Sequence, residues 1–307
     1  MSTHLQPSSA VTAATTDISK AAEPAAVGYD FGYLWHRVRG APLTLVGLGV
    51  ILGLLVLMLG ASWIAPFDPN ALDLRNRLAA PSAVNWFGTD EVGRDLFSRV
   101  VYGARASVSV GLAVVVIGLT VGTLIGAFSG LVGGKIDSLL MRLMDVVLSF
   151  PSFVMAIALA AALGPGLINA MLAISIVRIP FYARIARGQA LSLRQRPFVK
   201  AATTFGASNW RITLRHIVPN GFSPIIVQGT LDVGGVILTA AALSFIGLGA
   251  QQPTAEWGAM VSSGREFLLD QWWYATFPGI AILITAVGFN LLGDGLRDIL
   301  DPKGQRK

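Results

Sequence analysis

The stretch SVSVGLAVVVIGLTVGTLIGAFSGL at residues 107–131 contains no charged side chain. A transmembrane helix needs about 20 consecutive apolar residues, so this stretch is long enough to cross a bilayer. The whole chain shares the bias, because only 13% of its 307 residues are charged and 53% are hydrophobic. Soluble domains carry about 25% charged residues. The sequence therefore predicts an all-α membrane protein that crosses the bilayer several times.

Five further apolar segments flank this stretch, which gives six transmembrane helices in all. We expect them at about residues 43–65, 107–131, 137–163, 167–183, 221–249 and 275–296. The run Gly164-Pro165-Gly166 separates the third helix from the fourth, because a helix does not readily continue through it. Glycine recurs at every fourth position of the second helix, which predicts close packing against a neighbouring helix. These glycines are Gly118, Gly122, Gly126 and Gly130.

The basic residues are distributed unevenly about the six helices. One side of the membrane would hold 16 of the 23 Lys and Arg residues and the other side six, with Arg178 inside the fourth helix. Loops rich in Lys and Arg stay in the cytoplasm. We therefore expect both termini on the cytoplasmic side of a bacterial cytoplasmic membrane. A formal net charge of +6 could indicate nucleic-acid binding in a soluble protein, but here the placement of the charges matters more than their sum, and we expect no nucleic-acid partner.

The same pattern predicts the domain organisation. Residues 1–35 are rich in Ala, Ser and Thr and lack the apolar core of a signal peptide, so we expect a disordered cytoplasmic tail. Residues 36–104 would contain the first transmembrane helix and an outer loop. Residues 105–300 would form the main transmembrane domain, with a cytoplasmic segment at 184–219, and residues 301–307 a second cytoplasmic tail.

The cytoplasmic segment is unusual because residues 184–216 contain seven basic side chains and no acidic one. Pro197 is suited to start a short helix over 198–205, and Gly206 to end it in a left-handed conformation. Ser208 can cap a second short helix over 209–216, which Pro219 would close. Two interpretations remain open on physical grounds. The segment is either an amphipathic surface that rests on anionic lipid or an element that docks into a soluble partner.

A family resemblance favours the docking element. The run KAATTFG at 200–206, followed by HIVP at 216–219, resembles the EAA loop of binding-protein-dependent ABC permeases. That motif is Glu-Ala-Ala, three residues, Gly, nine residues and Ile-x-Leu-Pro. The spacing is kept here, while Lys200 replaces Glu, His216 replaces Ile and Val218 replaces Leu.

Three further blocks resemble the "C" permease subunits for dipeptides, oligopeptides, nickel and glutathione. They are FGTDEVGRDLFSR at 87–99, LSFIGLGAQQP at 243–253 running on to EWGAM at 256–260, and GDGLRD at 293–298 followed by DPK at 301–303. The runs VRIPFY at 177–182, TFG at 204–206 and DQWWY at 270–274 are most similar to D,D-dipeptide permeases.

The resemblance implies a type I ABC importer permease with a cytoplasmic coupling helix. It implies a homologous second permease subunit, two ABC ATPase subunits, an extracytoplasmic solute-binding protein at the outer loops 68–105 and 251–270, and surrounding lipid as partners. ATP and Mg would be bound by the ATPase subunits, and no GxxxxGK[ST] phosphate loop occurs here. The cargo would be a short peptide, with nickel or glutathione as alternatives. The residues implied in coupling are Lys200, Ala201, Ala202, Gly206, Ala207, Ser208 and Pro219.

An ion-gradient-coupled transporter is a further alternative, because ionisable groups inside a membrane are candidates for function. Asp145, Arg178 and Asp232 fall within predicted helices, and Arg178 and Asp232 are placed to form a pair. A gradient-driven mechanism leaves the basic cytoplasmic segment unexplained. A membrane-embedded enzyme is disfavoured, since the chain has no cysteine, three histidines and neither an HExxH nor a GxSxG motif.

Overall fold

The computed structural model describes residues 42–300, and the two predicted tails at 1–35 and 301–307 lie outside them. The described part of the chain is helical and contains no β-strand. Its α-helices are α1 Pro42–Ile64, α2 Leu96–Val132, α3 Gly134–Leu148, α4 Ser152–Leu163, α5 Leu167–Leu193, α6 Pro197–Thr204, α7 Asn209–Phe245, α8 Trp257–Gly264 and α9 Trp273–Leu300.

Five of these helices, α1, α2, α5, α7 and α9, are long and apolar enough to cross a membrane. The pair α3 and α4 meets the same test only when it is taken as one span, and its two halves are bent by 88°. The described residues therefore provide five spans, or six with the bent pair. The single third helix expected over 137–163 is wrong. Pro151 has no N–H to donate, and it disfavours helical backbone at Phe150, so the helix breaks there.

Two predicted helices are longer than the apolar runs that indicated them. Helix α2 begins at Leu96 rather than near residue 107, because the carboxylate of Asp95 accepts a hydrogen bond from Ser98 N and caps the helix. Helix α5 continues to Leu193 rather than ending near residue 183. Both extensions contain arginines, so a hydropathy pattern predicts a loop where the structure has helix.

The predicted second short helix begins at Asn209 as expected, but its predicted end at residue 216 is wrong. It does not close at Pro219 but continues as α7, through a π-helical turn at Thr213–Ile217. A proline inside a helix lacks the N–H for its own backbone bond and crowds the preceding turn. The wider π turn ends at Ile217, two residues before Pro219, and the helix passes the proline without a break.

Helices α2 and α5 run in the same direction, as their glycine contacts show. A Cβ at Gly122 would lie 2.6 Å from Ile179 O, one at Gly126 2.0 Å from Ala183 O, and one at Gly130 2.8 Å from Arg187 O. No side chain fits at these distances. The predicted role of these glycines in close packing is confirmed. Because α2 and α5 are parallel, the bent pair between them returns the chain from one end of the bundle to the other.

Helix α1 lies antiparallel to α9, with Gly47 against Leu291 and Val50 against Gly288. The described chain therefore starts and finishes at one end of the bundle. We call this the basic end, and it also holds α6 and the α5–α7 connection, residues 194–208. The opposite end, the capped end, holds residues 65–95 and 246–272. The main apolar core joins α1, α2, α4, α5, α7, α8 and α9, and a smaller cluster lies at the basic end.

Candidate functional site

The turn after α6 has the geometry that the sequence predicts. Gly206 has φ +75°, a left-handed conformation that a side chain would strain. The Ser208 hydroxyl accepts a hydrogen bond from Arg211 N, which confirms it as the cap of the following helix. Lys200 and Ala201 are exposed, and Ala202 is partly buried. Phe205, at the tip of the turn, is 89% exposed.

A small apolar cluster attaches this turn to the bundle. Val199 of α6 is buried and packs with Ile212 and Ile217 at the start of α7. Ala202 and Ala207 pack against the cluster from the turn. The cluster is completed by side chains of α2 and α5, which are Ala127, Leu131 and Ala190. The cluster therefore links α6 to three long helices, α2, α5 and α7.

The outward surface of this turn is basic. Arg196, Lys200, Arg211 and Arg215 are exposed, and among residues 42–300 none of them forms an ion pair. Arginine and lysine heads that stay unpaired in this way are available to an acidic partner surface or to anionic lipid.

Two ion pairs join α3 to α5 beside the turn. Arg187 donates from Nε and Nη2 to the two carboxylate oxygens of Asp137, both at 2.7 Å. Ser129 of α2 donates to the same carboxylate at 2.9 Å. Arg184 pairs with Asp145 on the surface, where both side chains are more than half exposed. The sequence pattern singled out Asp145 but missed Asp137, although Asp137 is the one acidic residue in the first turn of α3.

Arg178 and Asp232 form the predicted pair. Nη1 of Arg178 lies 3.1 Å from Oδ1 of Asp232. The Tyr182 hydroxyl donates to Oδ2 of Asp232 at 2.9 Å. Tyr182 was not predicted, although it lies one helical turn from Arg178 and so faces the same way. The cluster therefore joins two long apolar helices, α5 and α7.

The capped end contains the most buried charges of the described residues. Asp90 is fully buried and pairs with Arg94 and Arg99. Arg94 also donates to Gln252, and Arg99 to the carbonyl oxygen of Pro253. These contacts tie the loop before α2 to the loop after α7.

Aromatic residues and a second carboxylate reinforce the same tie. Glu256 accepts hydrogen bonds from Ser107 of α2 and from Gly258 N and Ala259 N, and so caps α8. The hydroxyl of Tyr274 donates to Glu91, and the ring of Phe87 stacks on Phe277 with centroids 3.9 Å apart. The two segments expected to face the binding protein are thus in contact with each other.

The described residues contain no group of three or more His, Cys, Asp or Glu side chains that could hold a metal ion. The chemical features of the arrangement are an unpaired basic surface at one end, a buried charge pair between spans and a rigid polar network at the other end.

Residues 122–306 match the family described as binding-protein-dependent transport system inner membrane component. Residues 31–81 match the N-terminal TM domain of oligopeptide transport permease C.

The chain is also similar to curated permease proteins over 88% of its length. The chain is 60% identical, over 88% of its length and 91% of the relative's, to a probable D,D-dipeptide transport system permease protein, DdpC, of Escherichia coli strain K12. It is 47% identical to the dipeptide transport system permease protein DppC of Alkalihalophilus pseudofirmus, over 88% of each chain. It is 44% identical to the glutathione transport system permease protein GsiD of Escherichia coli O6:K15:H31, over 88% of this chain and 89% of that one.

Proposed function

The chain belongs to the family of binding-protein-dependent transport system inner membrane components, and we propose that it is one of two permease subunits in an ATP-driven importer of short peptides. The observation that carries the proposal is the extended identity to permeases named for dipeptides. Identity is higher to the D,D-dipeptide protein, at 60%, than to the dipeptide and glutathione proteins, at 47% and 44%. D,D-dipeptides are therefore the proposed cargo, and glutathione or nickel are the alternatives.

The membrane arrangement we propose has six crossings, with the basic end in the cytoplasm. The parallel directions of α2 and α5 support it, because the bent pair between them must cover the thickness of the bundle. From the level of Arg187, which Asp137 of α3 contacts, to Leu167 at the start of α5 is about 30 Å at 1.5 Å per residue, a bilayer core. The excess of Lys and Arg at the basic end supports its cytoplasmic location.

The coupling element in this proposal is α6 with the turn at Gly206. It presents Lys200, Ala201 and Phe205 to a cleft in an ATPase subunit, while Val199 anchors it to the bundle. The basic surface around it suits an acidic rim on that cleft, which Lys200 in particular would contact. ATP binding would close the two ATPase subunits, and α6 would transmit the movement as a rigid lever to α2, α5 and α7.

The capped end is the proposed contact for the solute-binding protein. Hydrogen bonds from Arg94 to Gln252 and from Arg99 to the carbonyl oxygen of Pro253 tie its two loops together, which suits a fixed surface on which a partner can release its cargo. Arg178 and Asp232 are mutually neutralised, which removes the main reason to invoke an ion gradient.

The proposal is tested by uptake in vesicles that contain the complete transporter. We expect ATP-dependent accumulation of labelled D-Ala-D-Ala in preference to L-Ala-L-Ala, glutathione and Ni²⁺. The purified chain alone is expected to hydrolyse no ATP. Uptake driven by a proton gradient without ATP, or hydrolysis by the isolated chain, would contradict the proposal.

A further inference from the structure

The ion pair between α5 and α7 is placed deep in both helices. Arg178 is about 17 Å along α5 from Leu167, at 1.5 Å per residue. Both oxygens of the Asp232 carboxylate are occupied, Oδ1 by Arg178 and Oδ2 by the hydroxyl of Tyr182. Tyr182 is fully buried, so the acid and the phenol form the closed side of the cluster.

The guanidinium of Arg178 is the open side. Its side chain is 24% exposed, whereas that of Asp232 is 9% exposed. A guanidinium has five N–H donors, and Arg178 uses Nη1 toward Asp232. Among residues 42–300 its other donors contact no acceptor. These open donors are accessible to a carboxylate that a ligand would supply.

Gly235 of α7 keeps the guanidinium uncovered. A Cβ at this position would lie 3.9 Å from Nη2 of Arg178, which is ordinary contact, so a longer side chain there would extend over the charged group. Gly235 belongs to a stripe of accessible positions at helical spacing on α7. The stripe consists of Gln228, Leu231, Gly235, Leu238 and Ala242. Asp232, Val233 and Gly234, which directly precede Gly235 in the helix, are buried.

We propose that Arg178 binds the terminal carboxylate of a peptide as it passes along this stripe of α7, an inference that rests on the proposed function as a peptide importer. A short peptide always carries one carboxylate, and a guanidinium fork matches a carboxylate in two parallel hydrogen bonds. Asp232 neutralises the arginine whenever no peptide is present. The same competition keeps the site weak, which transport requires because a tightly bound cargo does not leave.

The test compares D-Ala-D-Ala with its C-terminal amide in vesicles that contain the whole transporter. The binding protein is first titrated with each compound, and uptake is measured at concentrations that saturate it with either one. We expect the native transporter to carry the acid about tenfold faster than the amide. The double variant Arg178→Gln with Asp232→Asn removes both charges together and is expected to abolish this preference.

A charge swap separates binding from helix joining. In Arg178→Asp with Asp232→Arg the pair persists, but the acid now occupies the open side. We expect ATP hydrolysis stimulated by the binding protein to persist while uptake of the acid falls about tenfold. Full uptake by the swapped protein would overturn the inference and leave a structural pair.

A single substitution covers the case in which the swapped protein does not fold. Gly235→Leu places a side chain over the guanidinium, and Gly235→Ala is the matched control with an ordinary contact. We expect the leucine variant to lose the preference for the acid and the alanine variant to keep it. Equal preference in both variants would overturn the inference. Absence of any peptide uptake by the native transporter would instead overturn the proposed function.

Discussion

The two ends of the helical bundle satisfy their charges in opposite ways. At the capped end, the buried Asp90 pairs with the buried Arg94 and Arg99, and both arginines also donate hydrogen bonds to the loop after α7. At the basic end, Lys200 and Arg211 are exposed and, within residues 42–300, have no ion-pair partner. The buried Asp90 network at the capped end finds its partners within residues 42–300. The exposed basic side chains of the basic end need partners from another molecule, which we propose to be the ATPase.

The difference also separates stability from coupling. A substitution at the capped end should act on the folded state, because it leaves a buried charge without a partner. A substitution on the outer surface of the basic end should act on association and leave the fold unchanged. The predictions that follow are arranged by the size of the expected effect.

The largest effect is expected for Asp90→Ala. It leaves Arg94 and Arg99 buried and uncompensated, and removal of one partner from a buried pair costs about 3–5 kcal/mol. Thermal unfolding in detergent measures the loss. Asp68→Ala, in the exposed turn of the same loop, is the control, with a change within about 0.5 kcal/mol. Similar losses in both variants would show that the Asp90 network does not stabilise the capped end.

A smaller effect is expected at the Asp137 pair. Arg187→Met leaves the mostly buried Asp137 carboxylate with only the Ser129 hydroxyl. We expect a loss of about 1–2 kcal/mol, reduced by solvent because the Arg187 side chain is 36% exposed. Arg184→Met breaks the Asp145 pair, in which both side chains are more than half exposed, and should cost about 0–1 kcal/mol. Equal losses would mean that the Asp137 pair is not an anchor for α5.

The smallest effect on the fold is expected for Lys200→Glu, because the side chain is exposed and unpaired. We expect an unchanged unfolding temperature and about a 3–10-fold weaker association with the ATPase, lessened at high salt. Lys135→Glu reverses an exposed charge at the same end but outside the coupling segment, so it serves as the control. Association that is weakened equally by both changes would indicate a general charge effect rather than a contact of Lys200.

Much of the fold follows from the sequence, because long charge-free runs have few alternatives to membrane helices. Helix ends do not follow as well. The start of α2 at Leu96 depends on Asp95 as a cap and on Asp90, in the preceding loop, as a partner for Arg99. A hydropathy pattern contains no information about such side-chain contacts. The break before α4 had a signal in Pro151, but apolar residues on both sides concealed it.

The candidate sites divide in a similar way. The left-handed Gly206, the Ser208 cap and the Arg178–Asp232 pair were predicted and are confirmed. The continuation of α7 past Pro219 was not predicted, because it needs a π turn whose formation depends on packing in the small cluster. Asp137 was missed because its partner Arg187 is 50 residues away in the chain. Tertiary packing, rather than local sequence, brings them together.

The most direct test of the account compares two glycines at opposite ends of α7. Gly206 has φ +75° and Gly247 has φ +85°, and a Cβ at either would meet nothing within 4 Å. A valine therefore imposes the same backbone strain at both, but only Gly206 lies in the coupling turn. In vesicles with the complete transporter, ATP hydrolysis and peptide uptake are measured together. We predict that Gly206→Val uncouples hydrolysis from uptake while Gly247→Val keeps the native ratio. Normal coupling in Gly206→Val, or equal uncoupling in both variants, would contradict the assignment of the basic end to the ATPase.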